Sequence, residues 1–170
     1  NVPIYYDLKQ YWPFWAENEK LDVPFYLHPR NPLPQDSRIY DGHPWLLGPT
    51  WAFGQETAVH ALRLMASGLF DTHPNLKIVL GHMGEGLPYS MWRIDNRNGW
   101  TLHLPHKYPA KKKLAEYFHA NFWLTTSGNF RTQTLIDAIL EIGADHILFS
   151  TDWPFENIDH AAIWFDAASI

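Results

Sequence analysis

The chain has 170 residues, 46% hydrophobic and 18% charged, with a formal net charge of −5. This is a globular composition rather than a disordered one, and its single basic cluster, Lys111-Lys112-Lys113, is too narrow for the broad basic face of a nucleic-acid binder. No uninterrupted apolar run is long enough to span a bilayer, and the absence of cysteine excludes disulfides, thiolate metal sites and a cysteine nucleophile.

The length predicts one domain. A first helix is expected over roughly residues 11–21, with Pro13 tolerated in its first turn. A short apolar run over 23–27 follows and ends at His28-Pro29. Residues 30–49 are rich in proline and glycine and form too long a loop for a plain connector. Thr50 is the expected N-cap of a helix to about Ser67, with Ala58, Leu62, Met65, Ala66 and Leu69 at helical spacing and Gly68 as its stop. Residues 71–75 read as a turn, and 76–80 (LKIVL) as a buried strand running into Gly81-His82-Met83-Gly84-Glu85-Gly86. Helices are then expected near 87–96 and 110–119, and a strand over 122–126. Thr132 opens a helix striped by Leu135, Ile136, Ile139 and Leu140 and stopped by Gly143. A strand over 146–149 and a helix near 158–168 complete the chain. No two strand candidates are joined by a tight Asn-Gly turn, and each is followed by a helix, so the pattern predicts a parallel sheet in an α/β fold.

The chemistry-bearing residues fall just after the apolar strands: His28, His82, Thr125 to Ser127, and Asp152. In a (β/α) barrel these strand ends open on one face, where active sites are built. Two imidazoles and a carboxylate converging there would suit Zn²⁺, Mn²⁺ or Fe²⁺, the alternative for each being a hydrogen-bonded residue at a strand end. The segment 81–86 lacks both Gly-x-Gly-x-x-Gly and Gly-Lys-Ser/Thr, and Glu85 would repel an anion, so a phosphate loop is disfavoured. Glu85 either orients His82 and raises its basicity or caps the following helix. Asp152 reads as a metal ligand that also exchanges protons, or as an N-cap, and Glu156 as a surface or structural carboxylate. Arg93 suits bidentate recognition of a carboxylate, or pairs on a helix face. His60, His73, His103, His106, His119, His146 and His160 read as structural or surface residues, and no Gly-x-Ser-x-Gly elbow supports serine hydrolysis.

The segments LDVPFYLHPRNP, GHMGEGLPYSMWRID, TTSGNF and ADHILFSTDWPFE resemble the amidohydrolase-superfamily decarboxylases, above all those acting on 2,6-dihydroxybenzoate (γ-resorcylate). The 2,3-dihydroxybenzoate, salicylate and aminocarboxymuconate-semialdehyde decarboxylases are relatives. The resemblance implies a reversible, metal-dependent decarboxylase with no organic cofactor on a (β/α)8 TIM barrel. This chain, which starts at Asn1 without Met, would then be the C-terminal half with strands five to eight, the N-terminal half being absent. It further implies His28 and Asp152 as ligands of one divalent ion, Zn or Mn, and His82 with Glu85 and Asp152 as a catalytic Glu–His–Asp proton network. Arg93 would meet the substrate carboxylate. The family's first-strand Glu-x-His or His-x-His pair has no counterpart in any strand here, so the isolated chain is expected to bind metal poorly. Tyr26, Trp45, Trp51, Phe53 and Trp153 are candidates for a water-excluding wall, with core packing as the alternative.

The expected partners are a small aromatic carboxylate and further copies of the chain in a homodimer or homotetramer, with no nucleic acid and no membrane, in a cytoplasmic setting. Two other functions stay open: a metal-dependent hydrolase of the same superfamily, and a non-catalytic half-barrel interaction module.

Overall fold

The computed structural model describes residues 5–100 and 108–170. Four strands, β1 (Phe25–Tyr26), β2 (Ile78–Leu80), β3 (Phe122–Thr125) and β4 (Ile147–Leu148), lie in chain order in one sheet, and every neighbouring pair is parallel. Phe25 is in register with Ile78, Ile78 with Phe122, and Leu124 with Ile147. The crossovers carry α2 (Ala52–Ala66) and α3 (Leu69–Thr72), then α4 (Leu87–Asp95) and α5 (Leu114–Asn121), then α6 (Thr132–Ile142). The first helix, α1 (Trp12–Lys20), precedes the sheet and the last, α7 (Ile158–Ala167), follows it. A doubly wound sheet reverses its strand order at a switch point, whereas a barrel adds each strand beside the last. The unbroken order β1-β2-β3-β4 is that of a barrel rather than of a doubly wound sheet and matches the half of a (β/α)8 barrel that the resemblance implies.

The elements follow from local chemistry. Pro13 sits in the first turn of α1, where its missing N–H costs nothing. Trp15, fully buried, anchors that helix, and its indole N–H donates to the Tyr6 carbonyl at 2.8 Å. Gly68 and Gly143 stop α2 and α6 at φ of 82° and 94°, conformations that strain any residue with a Cβ. β2 and β3 are the longer strands because each pairs on both sides, while β1 and β4 pair on one side among the described residues. The core fills the space between the sheet and its helices with Leu64, Met65, Ile78, Leu80, Met91 and Phe118.

Several expectations are corrected. Thr50 is not an N-cap: it ends a 3-10 turn (Gly48–Thr50), and α2 starts two residues later after an uncapped Trp51. The long loop is built from such turns, with others at Ser37–Tyr40 and Pro44–Leu46. Residues 69–72, partly read as turn, form a helical turn instead. α5 begins at Leu114 rather than near Ala110, because Asp95 of α4 accepts the Leu114 and Ala115 N–H groups at 2.8 and 3.0 Å and so fixes the helix start. Ala58, Leu62 and Ala66 of α2 are only partly buried, while Thr57, His60, Ala61 and Leu64 are buried. In α6 the buried face is Leu135, Ala138 and Ile142, and Leu140 is 81% exposed. No helix among the described residues is long and apolar enough to cross a membrane.

Candidate active site

The site is built on the segment after β2. Five consecutive residues have positive φ: His82 (53°), Met83 (58°), Gly84 (81°), Glu85 (56°) and Gly86 (76°). For the three with side chains this left-handed turn costs on the order of 1 kcal/mol each. It is held by the Met83 N–H donating to the Thr125 carbonyl and the Gly84 N–H to the Gly81 carbonyl, both at 2.8 Å, with the Met83 side chain buried. Gly84 is required: a Cβ there would lie 2.9 Å from Leu124 Cδ2.

The turn brings Glu85 back against His82. The His82 Nδ1–H donates to Glu85 Oε1 at 2.7 Å, and the Glu85 side chain is only 5% exposed. The N-cap of α4 is Gly86, with no side-chain cap, so Glu85 orients the imidazole rather than capping the helix. On the other side of the ring, His82 Nε2 lies 4.0 Å from Oδ2 of Asp152, which follows β4. The Glu85 hydrogen bond holds the His82 pKa above its ordinary value, burial opposes this, and the Glu85 and Asp152 charges add to the upward shift.

A cluster of hydroxyls holds the His82 backbone. Thr125 Oγ1 and Ser127 Oγ are 2.7 Å apart, the Tyr26 hydroxyl lies 3.2 Å from the first, and the His82 backbone N–H donates to Ser127 Oγ at 3.3 Å. The Thr-Thr-Ser run at a strand end was the sequence signal for this cluster; the part of Tyr26, read as apolar wall, was missed.

His82, Glu85 and Asp152 face an open cleft of about 1100 Å³ that is also lined by Arg93, Trp51 and Phe53. Arg93 makes no ion pair with any described residue. Trp45 packs edge-on against His43, and Trp153 is 70% exposed; neither lines the cleft.

His28 is not among the residues that line this cleft. It lines a second cavity of about 400 Å³ with Tyr26, Arg30, Glu56 and His60. β1 and β4, which carry His28 and Asp152, are opposite edges of the four-stranded sheet. Among the described residues no three His, Asp or Glu side chains surround a common point. The two expected ligands nevertheless suit a metal individually. The His28 Nδ1 is 2.8 Å from the Pro29 carbonyl, a contact that leaves Nε2 to coordinate. No described residue donates a side-chain hydrogen bond to the Asp152 carboxylate.

Other histidines are structural. His60 Nε2 accepts the Tyr6 N–H at 3.0 Å, and burial lowers its pKa to about 4. His73 pairs with Glu19, His119 with Glu141, and His146 binds the Phe122 carbonyl and stacks on Trp123. His103 and His106 lie outside the described residues. In the second cavity Glu56 accepts the Tyr5 hydroxyl at 2.7 Å, and Arg30 Nη2 lies 2.8 Å from the same oxygen, an ion-pair contact whose angle misses hydrogen-bond geometry.

The amidohydrolase family model matches residues 3–168. The chain belongs to the amidohydrolase family. It is 81% identical over 169 residues to the γ-resorcylate decarboxylase of a Rhizobium species, covering 99% of this chain and 51% of that protein. A crystal structure of 2,6-dihydroxybenzoate decarboxylase complexed with 2,6-dihydroxybenzoate superposes with a TM-score of 0.96 at 80% identity, covering 100% of this chain and 52% of that one. The dihydroxybenzoic acid decarboxylase of a Polaromonas species, solved with bound manganese and the inhibitor 2-nitroresorcinol, gives a TM-score of 0.96 at 79% identity, covering 99% and 51%. The chain thus spans about half the length of the curated relatives it matches.

Proposed function

We propose that the protein is a metal-dependent, non-oxidative decarboxylase that converts 2,6-dihydroxybenzoate reversibly to resorcinol and CO₂. The observation that carries this reading is the Glu85–His82 pair facing Asp152 at the strand ends of an amidohydrolase half-barrel. The chain contributes strands five to eight in this reading. The other four, with the remaining metal ligands, belong to the length of the relatives that it does not span.

His28 and Asp152 are the residues here that would hold one divalent ion, Zn or Mn. Two protein donors fall short of the usual three or more, so the ligand set is completed from outside the described residues. When bound, the ion supplies Lewis-acid polarisation of the substrate carboxylate and ortho-hydroxyl oxygens.

The reaction replaces CO₂ on the ring with a proton: the hydroxybenzoate anion and one H⁺ give resorcinol and CO₂. No electrons are gained or lost, so no redox cofactor is needed. Protonating the ipso carbon first breaks aromaticity and lets CO₂ leave without a full carbanion. Asp152 is the proposed donor to that carbon, and His82 returns a proton to Asp152. Glu85 favours the charged form of His82. The 4.0 Å between His82 and Asp152 closes by about 1 Å, or is bridged by water, for transfer. Arg93 at the rim would take the substrate carboxylate as a bidentate partner, while Trp51 and Phe53 shield the ring from water.

A homodimer or homotetramer in the cytoplasm belongs to the same reading. Tyr89 and Trp92 of α4 stand exposed, and a second copy would cover them; light scattering tests this.

The deciding assay incubates the full-length protein with Mn²⁺ or Zn²⁺ and 2,6-dihydroxybenzoate in D₂O. The expected result is CO₂ release with one deuterium at the vacated ring carbon. Turnover of lactones or amides without CO₂ release would move the assignment to hydrolysis, and a metal-free, inert protein would leave the interaction module.

A further inference from the structure

Gly54 stands in the first turn of α2, where alanine would be preferred to glycine by about 1 kcal/mol. Its φ is not in the left-handed region, so the backbone does not ask for glycine. Space does. A Cβ on Gly54 would lie 2.9 Å from Glu85 Oε2 and 3.9 Å from Glu85 Cδ, with nothing else within 4 Å.

A collision with the tip of a flexible side chain is normally relieved by rotation. Here the other oxygen, Oε1, is tied to His82 Nδ1 at 2.7 Å, and the side chain is enclosed. The carboxylate therefore cannot yield without leaving the imidazole. The first turn of α2 has no side-chain cap, and its partly positive N–H end favours an anion beside it.

We propose that Gly54 is a positioning residue of the site: its missing side chain lets the first turn of α2 close over Glu85 and hold the carboxylate against His82. The inference rests on the proton network proposed above. Gly128 has a similar place opposite, where a Cβ would lie 2.9 Å from His82 Cδ2 and 3.2 Å from Asp152 Oδ2. Its φ of 62° favours glycine independently, so Gly54 is the cleaner test.

The experiment is Gly54→Ala in the full-length, manganese-loaded protein, alone and combined with Glu85→Ala. The expected single-variant result is a kcat lower by roughly 10- to 100-fold, the scale of a misplaced group. KM should change little, and metal content should match wild type. In the Glu85→Ala background the same substitution should change kcat by less than about twofold, because the group it displaces is gone. A crystal structure of the single variant should show the Glu85 carboxylate moved off His82. An undiminished kcat, an equal loss in both backgrounds, or failure to fold would each overturn the proposal. If the wild-type protein releases no CO₂, the functional reading fails. The Glu85 position in the variant crystal then decides alone: a displaced carboxylate supports the role of Gly54, and an unmoved one ends it.

Discussion

Glu85 Oε1 lies 2.7 Å from His82 Nδ1 across a left-handed turn in which both residues have positive φ. Neither conformation is favourable for a residue with a Cβ. The strain is offset by the buried Met83 side chain and the Met83 N–H bond to β3, and its product is an imidazole with one fixed tautomer. The second nitrogen then faces Asp152.

Replacing Glu85 with Gln tests that relationship. Glutamine keeps the shape and the Oε1 acceptor but removes the charge. The His82 pKa should move down from its raised position, as followed by NMR titration of the imidazole. The rate should fall by roughly 10- to 100-fold, within the range of a weakened acid–base group. The pair also contributes stability at acid pH. A histidine whose folded pKa is raised stabilises below its unfolded value of about 6.5 and loses that contribution as pH rises through the folded one. An unshifted imidazole in the Gln variant would separate Glu85 from His82.

Arg93→Ala should weaken binding of 2,6-dihydroxybenzoate much more than binding of resorcinol, since only the former carries the carboxylate. Calorimetry with both ligands on the full-length protein measures the difference. Equal losses would mean that Arg93 shapes the cleft without meeting the carboxylate.

His60 should make the protein acid-sensitive. Burial lowers its pKa to about 4, against an ordinary 6.5, the Arg30 and Arg63 charges reinforce this, and Asp7 opposes it. Between these values the unfolded chain binds a proton that the folded chain refuses, so stability falls as pH drops from about 6.5 towards 4, by on the order of 3 kcal/mol. His60→Gln, which can still accept the Tyr6 N–H, should flatten the dependence in urea melts. An unchanged slope would contradict the assignment.

Tyr117 should act at the alkaline end. Its hydroxyl accepts the Lys111 and Lys112 N–H groups at 3.1 Å and donates to Asp71 at 2.6 Å, and burial with the Asp71 bond pushes its pKa up to about 12. The unfolded tyrosine loses its proton near pH 10, so the stability this residue contributes is present below pH 10 and is lost as pH rises towards 12. Tyr117→Phe should cost about 1–3 kcal/mol at neutral pH by removing the bonds to the Lys112 N–H and the Asp71 carboxylate, the Lys111 N–H keeping its bond to Asp71. Thermal melts between pH 7 and 11 would expose a variant with no such cost.

The barrel half was legible because each apolar run stops at Gly, Pro or a polar residue and is followed by helical spacing. The Glu85–His82 pair was legible as a three-residue separation with two readings, of which the left-handed turn selects one. What the sequence hides is decided across space. Leu140 and Ile136 continue the stripe of α6 yet stand exposed, while Leu135, Ala138 and Ile142 are buried and Ile139 packs partly against the core. Glu56 and His60 lie on a buried face of α2 because Tyr5 and Tyr6 bond to them from the start of the described chain. That His28 and Asp152 follow the two outer strands of the sheet is set by sheet order, which no local pattern carries. Gly54 reads in sequence as a poor helix residue, and its meaning appears only with Glu85 beside it.

Asp152→Asn in the full-length protein, with metal content and turnover measured on the same preparation, tests the proton donor most directly. Asp152 is proposed to deliver a proton as part of a coupled network with His82 and Glu85. An amide can still coordinate through oxygen but has no acidic proton to give. The expected result is retained metal, no release of CO₂ from 2,6-dihydroxybenzoate and no deuterium entering resorcinol from D₂O. Full metal with near-normal turnover would contradict Asp152 as the donor to the ring carbon.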